Sequence, residues 1–411
     1  MSSSSPRPAW LFALTLAAFA VQTDDYIIIG VLPEISADVH LSETVTGQLV
    51  TVYSLIYALF APAWALMPFR VSRRHALCWA LGVFALANFA VLLVHSYAVL
   101  MVLRVIAALS AAVVLPTALA AASAEAPPKR QGRYLATVMT GLTGAVLLGV
   151  PAGTWVGAVF DWRATFVFGG LLGAGALLLL LKTLPSTAGQ ADEERKSFAA
   201  LVRPLWNGTI SAILVVTVLT VAGNLAFQTY IAPFLSGVAG VTPRVLAVLL
   251  VCSGIGGILG TQAAGRLVDR FGPMRAFMTA ATVFGIAMLV LAALWPARPV
   301  PTVLVAVLLA CWSAAAWAVP PSIQSLMLAR AGTEAAAQAM AVNSSSVYVG
   351  AALGGAMGGA IIAINPALIP VTAATLVTVA LAVMALTTRA RTTREKTRTE
   401  TNAERTGHTR P

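Results

Sequence analysis

The chain has 411 residues, 59% of them apolar and 10% charged, with a formal net charge of +11 and a mean hydropathy of +0.86. Soluble proteins carry charge on about 25% of their residues to cover a water-facing surface, so this composition excludes a soluble enzyme, a disordered chain and a disulfide scaffold. A membrane helix takes about 20 apolar residues, and the apolar total is close to what twelve of them use.

Read in chain order, apolar runs fall at 9–33, 44–69, 75–94, 97–123, 132–158 and 163–183. They resume at 205–234, 243–267, 275–295, 299–327, 335–363 and 366–388. These are spans 1 to 12, bounded by charge clusters and Pro/Gly breaks. The first run is too long for a cleaved signal peptide, and Asp24 and Asp25 interrupt it where a signal is most apolar, so it is expected to remain as a span. The polar stretch 184–203 divides the spans six and six. The expected organisation is an N-terminal six-helix bundle at 1–183, a cytoplasmic linker at 184–203, a C-terminal bundle at 204–388 and a disordered basic tail at 389–411.

Positive charge is distributed unevenly. With the N-terminus in the cytoplasm, 22 Lys and Arg residues lie on that side and three, Arg163, Arg244 and Arg298, lie outside. This is a positive-inside pattern that places both termini in the cytoplasm. The basic residues form short loops and a tail rather than a folded basic domain, so they suit topology and anionic lipid headgroups, and no nucleic-acid partner is expected. Cys78, Cys252 and Cys311 all lie in apolar runs and read as reduced core cysteines.

Two features repeat between the halves. Arg70, in the loop after span 2, and Arg270, after span 8, are 200 residues apart. Gly149, Gly153 and Gly157 of span 5 recur as Gly350, Gly354 and Gly358 of span 11, an offset of 201. Both point to a duplicated six-helix unit, hence two pseudo-symmetric bundles.

Only three charged residues fall deep inside spans: Asp24 and Asp25 in span 1 and Arg104 in span 4. Each costs about 2.5–3.5 kcal/mol at a helix centre on insertion scales, which argues for a function. Asp25 lies about 12 Å below Pro33 and Arg104 about 10 Å below Tyr97, at 1.5 Å per residue. They can pair or share one polar cavity. Consecutive acids point about 100° apart, so only one faces a cavity squarely. Gln22 shares a face with Asp25. Asp25 is therefore the first candidate for a proton-binding carboxylate and Asp24 the second. Burial disfavours the ionised form and Arg104 favours it, and a balance of the two leaves such a group titratable. A static ion pair orienting spans 1 and 4 is the competing structural role.

Candidate cavity residues are Gln22, Tyr53 and Tyr57 in the first half, with Asn224, Gln228, Trp312, Trp317 and Asn343 in the second; Gln324 lies near one end of span 10. They suit an apolar cavity with a few hydrogen-bonding groups, or ordinary contacts between helices. Gly149, Pro151, Gly153 and Gly157 make a small-residue stripe, either for helix packing or for a hinge or seal between the halves. The four histidines have no metal-ligand spacing, and no phosphate-binding loop is present, so neither a metal nor ATP is expected.

Gly265-Arg266-Leu267-Val268-Asp269-Arg270-Phe271-Gly272, between two of twelve spans arranged as two sixes, resembles a loop motif of the major facilitator superfamily. Gly149-Val150-Pro151-Ala152-Gly153-Thr154-Trp155-Val156-Gly157, followed by Asp161-Trp162-Arg163, is similar to its drug/proton antiporter branch with twelve helices. Within that branch the chain resembles the arabinose-efflux-like and chloramphenicol-resistance exporters. Thr23-Asp24-Asp25-Tyr26 resembles their first span, with an acid at the position of Asp25, and Leu103-Arg104-Val105 their span-4 arginine, which implies a part for Arg104 in proton coupling beside Asp25 and Asp24. The resemblance covers about residues 10 to 388. It implies a major facilitator fold in which helices 1, 4, 7 and 10 line the cavity, with Asp25, Arg104, Asn224, Gln228 and Trp317 around it. It further implies Gly265, Asp269 and Arg270 as a conformational latch. The first-half loop departs from the pattern, with Phe69 where the family has Asp.

The expected function is proton-coupled antiport by alternating access. The cargo is a small, largely apolar compound such as a drug or antibiotic, and the only coupling ion is the proton. The expected location is the bacterial inner membrane, and the expected state is a monomer. A polar-metabolite exporter, for a sugar or nucleoside, and a non-transporting sensor or scaffold are the alternatives.

Overall fold

The computed structural model describes residues 8–66, 72–127, 130–185 and 207–407. Phe69, Arg70 and most of the linker lie outside these residues. Within them the chain is helical throughout, with twelve helices long and apolar enough to cross a membrane. In the first half they are Ala9–Gly30, Glu43–Ala61, Arg73–Leu93, Tyr97–Glu125, Arg133–Val159 and Trp162–Thr183. In the second they are Gly208–Thr229, Pro243–Phe271, Pro273–Ala297, Thr302–Ala331, Val342–Ile362 and Leu368–Thr388. The chain is thus a multi-pass membrane protein.

Several spans start where a side chain satisfies the free amides of the first turn. Ser72 accepts from the His75 amide, Ser96 from Val99, Asp161 from Arg163, and Asn207 from Thr209 and Ile210. Span 8 stops at Gly272, whose φ of +82° is open to glycine and strained for other residues. Span 5 changes pitch at Ala145–Gly149, a π-helical stretch just before Pro151. Proline lacks an amide proton and crowds the preceding turn, which accounts for the wider turn there.

Helical turns continue without interruption from Thr302 to Ile362, across spans 10 and 11. Val300 nevertheless donates to the Val238 carbonyl while Gly358 packs on Tyr230, so both ends of this stretch lie at one face and the chain doubles back between them. The final helix runs from Leu368 to Gly407. This corrects the expectation of a disordered tail from residue 389. No Gly or Pro falls between Pro370 and Gly407, and Arg391 with Glu395 and Lys396 with Glu400 have the i,i+4 spacing that supports a helix.

Span 1 packs on spans 5 and 6, span 2 on span 4, and span 3 on spans 4 and 6. Span 7 packs on spans 11 and 12, and span 9 on spans 10 and 12. Between the halves, span 2 meets span 11, and span 5 meets span 8. The second contact is the first with its partners exchanged under the six-helix repeat.

The glycine stripes act within each half. A Cβ on Gly149 would strike Thr23, one on Gly153 would strike Ile27, and one on Gly157 would strike Val31 and Thr165. Gly350, Gly354 and Gly358 likewise sit on Val218, Ala222 and Ala226 of span 7. The reading of the first stripe as a seal between halves is therefore corrected: it lets span 5 close on span 1. Contacts between the halves use other glycines, with Gly254 against Leu147 and Gly355 against Thr51.

The cysteines are also corrected. Cys311 is exposed, and Cys78 and Cys252 are half-buried. An apolar run in a membrane helix has two apolar destinations, the core and the lipid, and composition alone does not separate them.

Candidate functional site

A cavity of about 450 Å³ lies between the halves, within the roughly 300–1,000 Å³ common for small-molecule sites. Span 1 gives it Gln22, Asp25, Tyr26 and Ile29; span 2 gives Ser54 and Tyr57; span 4 gives Leu115, Pro116 and Leu119. From the second half come Asn224 of span 7, Trp317 and Gln324 of span 10, and Ser344, Ser345 and Tyr348 of span 11. Tyr57 and Tyr348 stack across the boundary between halves, with centroids 3.8 Å apart and planes at 23°.

The cavity is sealed at the face opposite the basic loops. There Tyr230, fully buried at the end of span 7, sets its hydroxyl against Gly47 and Gly359 and donates to the Gly355 carbonyl at 3.1 Å. Thr44 donates to the Gly359 carbonyl at 2.7 Å. Ile29 and Leu32 of the first half join Ile231, Phe234 and Leu235 of the second in one core. Toward the basic face the lining includes Met139 and Ser344, both exposed. The cavity thus opens on that side.

Charge is divided in a way the sequence left open. Arg104 pairs with Asp24: its Nη1 donates to Asp24 Oδ2 at 2.8 Å and to the Asp24 backbone carbonyl at 3.2 Å. The guanidinium also lies over the Tyr53 ring, 4.3 Å from its centroid. Arg104 is 1% exposed and Asp24 0%, and neither lines the cavity. Asp25, one residue on and turned about 100° around the helix, lines the cavity with no cation in contact among the described residues. The expectation that Arg104 borders the cavity is corrected; Asp24 holds it behind the wall.

Four more expected lining residues lie elsewhere, each held by a neighbour. Tyr53 is turned toward Arg104. Gln228 accepts from Asn224 Nδ2 at 2.9 Å. Trp312 packs edge-on against Phe227, at 4.9 Å between centroids. Asn343 accepts from the Thr217 hydroxyl at 2.9 Å. Gln22, Tyr57, Asn224 and Trp317 are where they were expected. Tyr26 and Tyr348 were missed. Tyr26 is four residues from Gln22, so a helical stripe drawn through that candidate would have found it; the span 11 candidate, Asn343, is five residues from Tyr348 and off its face.

The latch residues are open to solvent or headgroups. Gly265 has nothing near its Cβ position, Asp269 and Arg270 are exposed, and Arg270 lies 5.2 Å over the Phe271 ring.

The family model of the Major Facilitator Superfamily matches residues 14–355 and 230–407. YdhP, an inner membrane transport protein of Escherichia coli strain K12, is 31% identical over 376 residues, covering 90% of this chain and 94% of that protein. YbcL, an MFS-type transporter of Bacillus subtilis strain 168, is 29% identical over 349 residues, 85% of this chain and 87% of its own. Among solved structures, a point mutant of the nucleoside transporter NupG superposes with a TM-score of 0.73 at 16% identity, covering 92% of this chain and 99% of that one. A D-xylose–proton symporter gives 0.73 at 14% identity, covering 92% and 96%. Twelve spans in two related halves around one central cavity, together with a family model that spans both halves, place this chain in the major facilitator superfamily of transporters.

Proposed function

We propose that the protein is a proton-coupled antiporter that exports a small, largely apolar compound from the cytoplasm, as in the drug/proton antiporter branch it resembles. The observation that carries this reading is Asp25: a carboxylate 8% exposed, lining an otherwise mostly apolar cavity, with its potential partner Arg104 already held by Asp24. A carboxylate that lines a cavity and has no cation bound to it can take up either a proton or a ligand, and the two compete for the same space.

In this reading the basic face is cytoplasmic, both termini are cytoplasmic and the membrane is the bacterial inner membrane. The cavity open toward that face is then the loading state. Rocking of residues 1–183 against 204–388 about the contacts of span 2 with span 11 and span 5 with span 8 would open the other face. Protonation of Asp25 from outside would expel the cargo.

Inside-out vesicles energised to an acidic interior test this. Wild type should accumulate an exported compound, a protonophore should collapse the gradient, and Asp25→Asn should fail at equal protein level. Accumulation that resists both would overturn the reading.

A further inference from the structure

The two edges where the halves meet close to different depths. On one edge span 2 packs on span 11 from Thr44, against Gly359, to the stack of Tyr57 on Tyr348. Tyr57 is nine residues from Leu66, where its helix ends, so this edge is closed to within about 14 Å of the basic face. On the other edge span 5 packs on span 8 along Ala145–Gly149 and Val150–Val159. Along Gln131–Gly144 it packs on spans 1 and 4 instead, with no comparable contact to span 8 among the described residues. Leu147, which meets Gly254 near the point where this edge closes, lies about 21 Å from Arg133 at 1.5 Å per residue. The six-helix repeat relates the two edges, so the gap between spans 5 and 8 departs from that symmetry.

The gap opens the cavity sideways. Met139 lines the cavity and is 41% exposed, and Leu142 lines it one turn further in. On the span 8 side Trp317 lines the cavity, with Gly257 against its ring and Thr261 donating to its carbonyl at 3.3 Å. Met139 and Leu142 lie about 9 and 14 Å from Arg133. Half of a hydrocarbon core about 30 Å thick is about 15 Å, so the opening sits at acyl-chain depth. Ser344, two residues into span 11, lines the cavity at headgroup level. The cavity thus has a mouth to water and a mouth to lipid. The second is free of charge: none falls between Arg133 and Asp161 on span 5 or between Arg244 and Arg266 on span 8. Ile255 and Leu259 of span 8 are exposed beside it, an apolar surface of the kind lipid covers.

We propose that the cargo enters the cavity from the bilayer, through the gap between the Gln131–Gly144 part of span 5 and span 8, with Met139 at its edge. This deepens the antiport reading and rests on it: the source of the cargo is the leaflet on the basic face rather than the water beyond it. Each methylene favours hydrocarbon over water by about fourfold, so a cargo with six of them is concentrated in the leaflet on the order of a thousandfold. A mouth at acyl-chain depth meets the cargo where it is concentrated. Methionine suits such an edge, since its unbranched side chain with three rotatable bonds gives way to groups of varied shape.

A lipid acyl chain is the direct probe, because its headgroup keeps it in the bilayer and it reaches the cavity only from the side. The full-length protein, lacking Cys78, Cys252 and Cys311 and carrying a small fluorophore on Ser54→Cys inside the cavity, is placed in nanodiscs of phosphatidylethanolamine and phosphatidylglycerol. A fraction of the lipid bears a nitroxide quencher on its acyl chain. The nitroxide lipid should quench the fluorophore. Met139→Trp should remove most of that quenching, and Met139→Leu and Ser344→Trp should keep it. Quenching by iodide from the water should persist in Met139→Trp, which reports that the variant's cavity is still formed. The proposal is overturned if the nitroxide lipid leaves the fluorophore bright, or quenches it equally with and without Met139→Trp. The vesicle assay, with the neutral membrane-dissolved dye Nile red as probe, separates this proposal from the antiport reading. Met139→Trp should slow proton-driven accumulation of the dye about tenfold, and more than Ser344→Trp does. Acyl-chain entry that depends on Met139, without proton-driven accumulation, leaves the lateral mouth standing and sinks antiport. Accumulation that Met139→Trp does not slow, with no acyl-chain entry, does the reverse.

Discussion

Asp24 and Asp25 are neighbours in sequence with opposite situations. Asp24 neutralises a buried guanidinium at 2.8 Å, whereas Asp25 faces open cavity. Removing one partner of a buried ion pair leaves an uncompensated charge and costs about 3–5 kcal/mol. Asp24→Asn should therefore lower the thermal unfolding temperature strongly, and Asp25→Asn should leave it unchanged or raise it. Comparing the two variants by thermal denaturation in detergent checks this, and equal losses would mean the acids share one role. The choice of Asp25 over Asp24 was legible because Gln22 lies three residues away on the same face, and both line the cavity. Which acid takes Arg104 was not legible, since depth along two helices fixes their height and leaves their rotation free. The same limit explains Tyr53 and Gln228. Each shares a helix face with a true lining residue, Tyr57 or Asn224, yet a turn further along the helix another neighbour is in reach.

At the scale of elements, close helix packing is set by where a Cβ has no room. A Cβ on Gly260 of span 8 would collide with the backbone carbonyl of Ala314 on span 10, and backbone does not swing aside. Gly265, five residues on in the same helix, has open space around it. Gly260→Ala should destabilise by about 1–3 kcal/mol through overpacking. Gly265→Ala should be neutral or slightly stabilising, because alanine favours helix by about 1 kcal/mol over glycine. Thermal stability of the pair decides it; if Gly265 matters as part of the latch, its substitution will lower transport without lowering stability. The spans themselves were readable because each is an apolar run bounded by charge or Pro/Gly. Their partners were not. The span 5 glycines show a small-residue stripe in sequence, and only the fold shows that it meets Thr23 and Ile27 of span 1. The helical extension beyond residue 388 was missed because a polar composition was read as disorder, although helix breakers are absent there.

For the whole molecule, alternating access requires one seal to open as another forms. The seal visible here is Tyr230 wedged between Gly47 and Gly359. Tyr230→Ala removes the wedge and the hydrogen bond to Gly355, and should shift the population toward opening at that face. A cysteine in place of Ser54, which lines the cavity, in a background lacking Cys78, Cys252 and Cys311, gives the readout. Its labelling by a membrane-impermeant maleimide applied from outside should rise in Tyr230→Ala and change little in Tyr230→Phe. Unchanged labelling in both would place the seal elsewhere.

The central claim is that cargo and proton compete at Asp25. The most direct test is to titrate a panel of amphipathic drugs and metabolites into the purified protein in weak buffer while recording pH. The account predicts proton release on binding of at least one compound by the wild type, and none by Asp25→Asn. Binding without proton release, or equal release from the variant, would contradict it.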